Sequence, residues 1–151
     1  MPELAKSLRI PHAPDQVFEL VSDIGRYPEF IKWIRSMRVT NQVRTGSVLQ
    51  SRGEASVGFK GFSERFTTDV EADADQRTIA VKLVRGPFRR LKNHWQLRQG
   101  EDGGTVVDFY IDYEFRNPVL SLLARANTDL AVNRIMQAFL AEADRRYGNP
   151  A

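Results

Sequence analysis

Between Met37 and Phe115 apolar and polar residues alternate with a period of two, and the segments on either side repeat at three and four. The clearest run is "TVVDFYIDYEF". It places Val107, Phe109, Ile111, Tyr113 and Phe115 on one face and Asp108, Tyr110, Asp112 and Glu114 on the other. One apolar and one wet face predict a strand of an antiparallel sheet covered on a single side. The preceding "EDGGT" is a turn, so residues 88–98 and 105–115 read as a hairpin. "ERFTTDVEAD" alternates as well, with Phe66, Thr68 and Val70 opposite Thr67, Asp69 and Glu71, and "DADQR" turns into the strand "TIAVKLV". "VLQSRGEASVGFKGF" carries Ser51, Gly53, Ala55, Val57 and Phe59 on one parity.

The flanks are helical apart from "LAKSLRI", a short strand ended by Pro11. "PDQVFELVS" has Val17, Leu20 and Val21 at helical spacing, with Pro14 suited to a first helical position. A long C-terminal helix is predicted from Asn117 as N-cap and Pro118, with Gly148 and Pro150 as the stop. Val132, Met136, Phe139 and Ala143 form its apolar stripe, extended upstream by Leu120, Leu123 and Ala124. "ANTDL" interrupts the pattern and predicts a bend. One strand, short helices, about six antiparallel strands and one long helix make an α+β layout, read as a single domain over 1–151. One helix can cover such a sheet only if the sheet curls around it.

Two features predict a cavity. Small groups at Ser51, Gly53 and Ala55 leave volume under the helix unless larger neighbours fill it. Asn93 shares its face with Leu91, Trp95 and Leu97. A buried amide left unpaired costs about 1–3 kcal/mol, so Asn93 is expected to bond to backbone, water or a ligand. Trp95 brings an indole N–H to the same wall, and Asn127 and Thr128 bring polar groups from the helix. The connector "DIGRYPEFIKWI" sets Tyr27, Phe30 and Trp33 three residues apart, stiffened by Pro28. These rings read either as the rim of the cavity mouth or as a plug at the end of the core.

Composition narrows the chemistry. The absence of cysteine excludes disulfides, thiol nucleophiles and Cys-ligated metals. The N-terminus has no apolar signal core, and no run of about 18 apolar residues occurs, so a soluble cytoplasmic protein is expected. Twenty-two Lys and Arg against 19 Asp and Glu leave a net charge of +3, too little for a nucleic-acid binder, and no DNA partner is expected. Arg85, Arg89, Arg90 and Lys92 crowd one strand, either as a solvated face or as a patch for an anionic surface such as phospholipid headgroups, at the inner face of a membrane.

The motifs together resemble the coenzyme-Q-binding subfamily of the START-like, helix-grip proteins. The matching residues are Phe18–Val21, Asp23, then Tyr27, Pro28, Phe30 and Trp33. Gly86, Pro87 and Phe88 follow, with Leu91 and Trp95 beyond. The likeness runs from about Ile10 to Tyr147. His12-Ala13-Pro14 departs from it, where the subfamily often has a Ser or similar cap. The resemblance implies a curved seven-stranded antiparallel sheet gripping the C-terminal helix around an apolar tunnel, with two short helices after the first strand. It also implies binding of ubiquinone or a related polyprenyl lipid in support of respiration or quinone biosynthesis. The same group includes ribosome association toxins, which makes a ribosome a possible partner for the Arg85–Lys92 face, and a neighbouring branch is labelled polyketide cyclase or dehydrase. On the faces assigned above, a guest in that tunnel would meet Tyr27, Phe30, Trp33, Ala55, Val57, Phe59, Phe66, Phe88, Leu91, Asn93, Trp95, Phe109, Ile111, Tyr113, Leu123 and Asn127.

Catalytic signatures are thin. His12 lies on a loop, His94 faces outward, and neither has a second histidine at metal-ligand spacing. Asp69, Glu71, Asp73 and Asp75 read as solvated. The expectation is a non-catalytic carrier without cofactor or metal. The alternatives are a ribosome-directed toxin or a cyclase/dehydrase-type enzyme.

Overall fold

The structure is a computed structural model that describes residues 3–59 and 62–148, the side chains of Phe59 and Phe62 excepted. Its strands are β1 (Glu3–Ile10), β2 (Ile34–Thr45), β3 (Val48–Phe59), β4 (Phe62–Asp73), β5 (Thr78–Arg85), β6 (Phe88–Gln99) and β7 (Thr105–Phe115). Helix α1 (Pro14–Ser22) and a 3₁₀ helix (Ile24–Glu29) follow β1, and α2 (Pro118–Tyr147) closes the chain. The strands form one seven-stranded antiparallel sheet in the order β1-β7-β6-β5-β4-β3-β2. The 88–98 and 105–115 hairpin of the sequence is β6–β7, paired from Phe88 with Phe115 to Gln99 with Thr105.

The apolar parity faces α2 on the concave side. There Val132, Met136, Phe139 and Ala143 pack among Ile10, Val17, Leu20, Val21, Val70, Ile79, Trp95, Leu97, Val107 and Phe109. Asn117 caps α2 through its side-chain oxygen, which accepts from the N–H groups of Val119 and Leu120. Gly148 ends it at φ 83°; Pro150, read as part of the stop, lies outside the described residues. α2 runs through "ANTDL" without a break as one helix. Asn127 and Thr128 turn their polar groups back onto the carbonyls of Leu123 and Ala124, where they share the acceptors of the helical N–H bonds. At α1, Ala13 offers no side-chain acceptor, and only Gln16 Oε1 receives the Ala13 N–H, at 3.3 Å.

One sequence reading is corrected by packing. The space over the small residues of β3 is filled: a Cβ on Gly53 would lie 3.0 Å from Ile24 Cδ1 and 3.2 Å from Met37 Sδ. His12 lies on a loop as expected, but it is buried there, and its Nε2 lies 2.8 Å from Asp144 Oδ1 near the end of α2. Its carbonyl accepts the Thr105 hydroxyl at 2.7 Å. The loop entering α1 is thereby tied to both β7 and α2. No helix among the described residues is long and apolar enough to cross a membrane.

Candidate functional site: an apolar cavity under the first half of α2

The first half of α2 stands off the sheet and leaves a cavity of about 530 Å³. Its sheet wall is Val57, Glu64, Phe66, Phe88, Leu91, Ile111, Tyr113 and Phe115. Its helix wall is Leu120, Leu123, Ala124, Asn127, Thr128, Ala131, Val132 and Ile135. The volume is within the ~300–1,000 Å³ typical of small-molecule sites, and apolar side chains dominate the wall.

The Gly-Pro-Phe turn shapes the far end. Gly86 adopts φ 150°, and a Cβ there would come within 2.5 Å of Phe66 Cβ, so only glycine lets β5 turn this close to β4. The Pro87 carbonyl accepts the Arg116 N–H at 2.9 Å, which fixes the approach to α2. Phe88 then stacks on Phe115 with centroids 4.5 Å apart and meets Phe66 edge-on at 5.4 Å. A bulge between Phe88 and Arg90 turns the Phe88 ring inward.

The polar groups of the cavity come from β7 and α2. The Tyr113 hydroxyl donates to the Ala124 carbonyl at 3.2 Å and contacts Thr128 Oγ1. Thr128 itself donates to that carbonyl at 2.7 Å. Burial raises the Tyr113 phenol, so it stays protonated and remains a donor. Asn127 spends one N–H on Leu123 O at 2.8 Å, which leaves its oxygen and second N–H for a guest. A ligand carbonyl would therefore find one free donor, the second Asn127 N–H, in an otherwise greasy chamber, and could recruit the Tyr113 or Thr128 hydroxyl only by displacing its bond to the Ala124 carbonyl.

The residues expected to meet a ligand separate into two groups. Val57, Phe66, Phe88, Leu91, Ile111, Tyr113, Leu123 and Asn127 line this cavity. Ala55 lies under the filled part of β3, and the Phe59 side chain lies outside the described residues. Asn93 and Trp95 are spent on structure: the indole N–H donates to Asn93 Oδ1 at 2.8 Å, and Asn93 Nδ2 donates to the Tyr110 carbonyl at 2.8 Å. Trp95 and Phe109 instead pack into the core, their centroids 4.8 Å apart, with Trp95 also edge-on to Phe139 at 5.1 Å.

Of the two readings of the connector, Tyr27 follows the plug. Its hydroxyl donates to the Val21 carbonyl, and its ring meets Phe139 edge-on at 5.3 Å. Phe30 meets Phe139 at 5.2 Å, while Phe30 and Trp33 border a separate groove of about 540 Å³ with Asn133, Arg134, Gln137 and Ala138.

The basic run is not one patch. Arg90 sits on the convex face between Asp112, at 3.0 Å, and Glu114. Arg85 pairs with Glu54 at 3.6 Å, and Arg89 and Lys92 are exposed. A convex groove of about 860 Å³ holds Arg89, Arg90, Lys92, Lys82 and His94. Although larger than the cavity, it is lined by charged groups, with Lys82, Arg89, Arg90 and Lys92 beside the Arg52–Asp69 pair at 3.0 Å and Glu71. The apolar one of the two spaces is the cavity under α2. Leu120, Ala124, Ala131 and Ile135, absent from the expected contacts, repeat along α2 at four and seven, a spacing visible in the sequence.

Comparisons with known proteins agree with this geometry. The chain is 28% identical over 148 residues to the persistence and stress-resistance toxin PasT of Escherichia coli, covering 97% of this chain and 90% of that protein. It is 28% identical over 140 residues to the mitochondrial coenzyme Q-binding protein coq10 of Schizosaccharomyces pombe, covering 91% and 84%. Among solved structures, the 18 kDa protein CC1736 of Caulobacter crescentus superposes with a TM-score of 0.83 at 38% identity, covering 99% of this chain and all of that one. The Zhui aromatase/cyclase of a Streptomyces species shares the fold, with a TM-score of 0.82 at 16% identity over 97% and 95% of the two chains. Residues 10–140 match the family described as polyketide cyclase / dehydrase and lipid transport, and the chain belongs to that family.

Proposed function

We propose that this protein is a non-catalytic carrier of ubiquinone or a similar polyprenyl lipid, in support of respiratory electron transport or quinone biosynthesis, with the head group and first tail units under α2. The observation that carries the reading is the apolar cavity of about 530 Å³ with a free amide donor at Asn127 beside the Tyr113 and Thr128 hydroxyls. Quinone carbonyls accept such donors, and the likeness to a coenzyme Q-binding protein supports the same ligand class. The titratable side chains on the wall are Glu64 and Tyr113, a thin set for acid–base chemistry.

A long tail exceeds this volume. Each buried CH₂ contributes about 0.8 kcal/mol, so the exposed remainder favours contact with a bilayer at the inner face of the membrane. The test is mass spectrometry of lipid extracted from protein purified from its own host. Wild type should carry quinone or polyprenyl lipid, and Ala131→Phe, which fills the cavity from α2, should carry far less. Equal recovery from both proteins, or none from wild type, overturns the reading.

The ribosome association toxins among the relatives, and the exposed Arg89, Lys82 and Lys92 of the convex face, favour a second reading, a ribosome-directed protein. It predicts binding to ribosomal particles that weakens steeply with salt, is lost on reversing those charges, and is indifferent to Ala131→Phe.

A further inference from the structure

The outer face of α2 is apolar where a globular protein would be polar. Val119 is 64% exposed, Leu122 70%, and Leu123 and Leu130 42% each. Val119, Leu122, Ala126, Leu130, Asn133 and Gln137 follow steps of three and four and form one stripe along the helix. Leu123 belongs both to the edge of this stripe and to the cavity wall, so the stripe borders the cavity mouth. At its other end it runs into the groove formed by Phe30, Trp33, Arg134 and Gln137.

Charge identifies the occupant. Arg125 and Arg134 flank the stripe on opposite sides, and Lys32 lies in the Trp33 groove. All three are exposed, and none has a carboxylate within ion-pair distance among the described residues. Asp129, the acid of this half of α2, is held by Lys6 at 3.5 Å. On the convex face Arg52, Arg90 and Arg98 are instead each paired with an acid. An apolar strip with an aromatic at one end and uncompensated cations along its borders matches a surface that is greasy at its centre and anionic at its rim. A second copy fits poorly, because a two-fold interface would gather the Arg125 and Arg134 of both copies into one seam while Asp129 is held by Lys6.

We propose that the α2 stripe, with Lys32, Trp33, Arg125 and Arg134 at its border, is the docking surface for an anionic phospholipid bilayer and presents the cavity mouth at Leu123 to the lipid. The proposal rests on the carrier reading for its purpose but is tested apart from it. Val119 and Leu122 enter the acyl boundary, and the cations meet headgroup phosphates. Tail units that leave the cavity pass beside Leu123 into lipid rather than water.

The experiment measures sedimentation of the full chain with vesicles of pure phosphatidylcholine and of about three parts phosphatidylcholine to one of phosphatidylglycerol. Binding of a short-chain, water-soluble quinone is measured in parallel. Wild type should bind the mixed vesicles and pure phosphatidylcholine far less. Val119→Asp/Leu122→Asp and Arg125→Glu/Arg134→Glu should each weaken mixed-vesicle binding at least about tenfold, the second also flattening its salt dependence. Arg44→Glu, on a strand edge remote from α2, should bind as wild type. All variants should keep their circular dichroism and the short-chain quinone. Wild type that binds quinone but ignores the vesicles overturns the docking surface and spares the carrier reading. Vesicle binding without quinone binding upholds the surface while the carrier reading falls. Vesicle binding unchanged in both double variants overturns the surface, as does a wild-type dimer that Leu122→Asp dissociates, which assigns the stripe to a second copy.

Discussion

Lengthening the isoprenoid tail of a quinone one unit at a time tests the cavity quantitatively. A five-carbon unit wholly removed from water contributes roughly 3–4 kcal/mol at about 0.8 kcal/mol per CH₂. Ordering each flexible segment costs about 0.5–1.5 kcal/mol, which leaves a net gain of roughly 2–3 kcal/mol. That is on the order of 30- to 100-fold in affinity per unit, at 1.4 kcal/mol per tenfold. The gain lasts only while the cavity has room. At about 530 Å³ it is mid-range for pockets that enclose a drug-sized ligand. The head group and about one or two units fit that class of volume, and later units emerge past Leu123. The expected curve is steep for the first additions and flat afterwards. Ligand-induced thermal stabilisation measures it, because stabilisation grows as RT ln(1 + [L]/Kd). Ala131→Phe should move the break to a shorter tail. A slope that stays constant to four units, or is zero from the first, would refute the reasoning, since neither fits a chamber of this size.

Gly86→Ala forces a Cβ toward Phe66 and a side chain into an unfavourable φ, which costs about 1–3 kcal/mol from the backbone alone; urea denaturation should show it, with weaker quinone binding because Phe66 and Phe88 are cavity walls. His12→Ala leaves the Asp144 contact unmade and should cost about 1–3 kcal/mol, while Asp144→Asn, which keeps an acceptor for the ring, should cost clearly less; equal losses would show that the hydrogen bond is not what ties the loop to α2. Glu142, buried between Arg145 at 2.9 Å and Arg146 at 2.7 Å, is held down to about 2 from 4.5, first by the Arg145 hydrogen bond. Its folded value lies below its unfolded one, so its stabilisation, up to roughly 3 kcal/mol, is full above about pH 4.5 and is lost as pH falls toward 2. In Glu142→Gln that part of the acid limb of the stability–pH curve should flatten, and parallel curves for the two proteins would count against the assignment.

Alternation alone placed the strands and their faces, because a buried face imposes a period of two on every strand that shares it. The position of the cavity was harder to read, because an empty volume depends on what arrives from the opposite wall. Gly53 and Ala55 looked like vacancies along β3, yet Ile24 and Met37 fill that space from elements whose approach no local pattern reveals. Parity likewise put Asn93 and Trp95 on the inner face, but not that two side chains two residues apart would satisfy each other. The open half of α2 was written in its helical register. Steps of three and four back from Val132, along the packed stripe of Val132, Met136, Phe139 and Ala143, land on Asp129, Arg125 and Ser121. Polar groups on that line cannot enter the core. The upstream apolar residues Leu120, Ala124 and Ala131 lie about 100° round the helix instead, so no single orientation of a straight helix packs both halves. The second half takes the packed orientation, and the first half is left over a chamber. The chamber is therefore a consequence of a stripe that turns midway along one helix. Restoring the register, with Arg125→Leu and Asp129→Leu, should draw the first half toward the sheet, raise thermal stability and lower quinone affinity together. A stability gain without that loss would show that the chamber does not depend on the broken stripe.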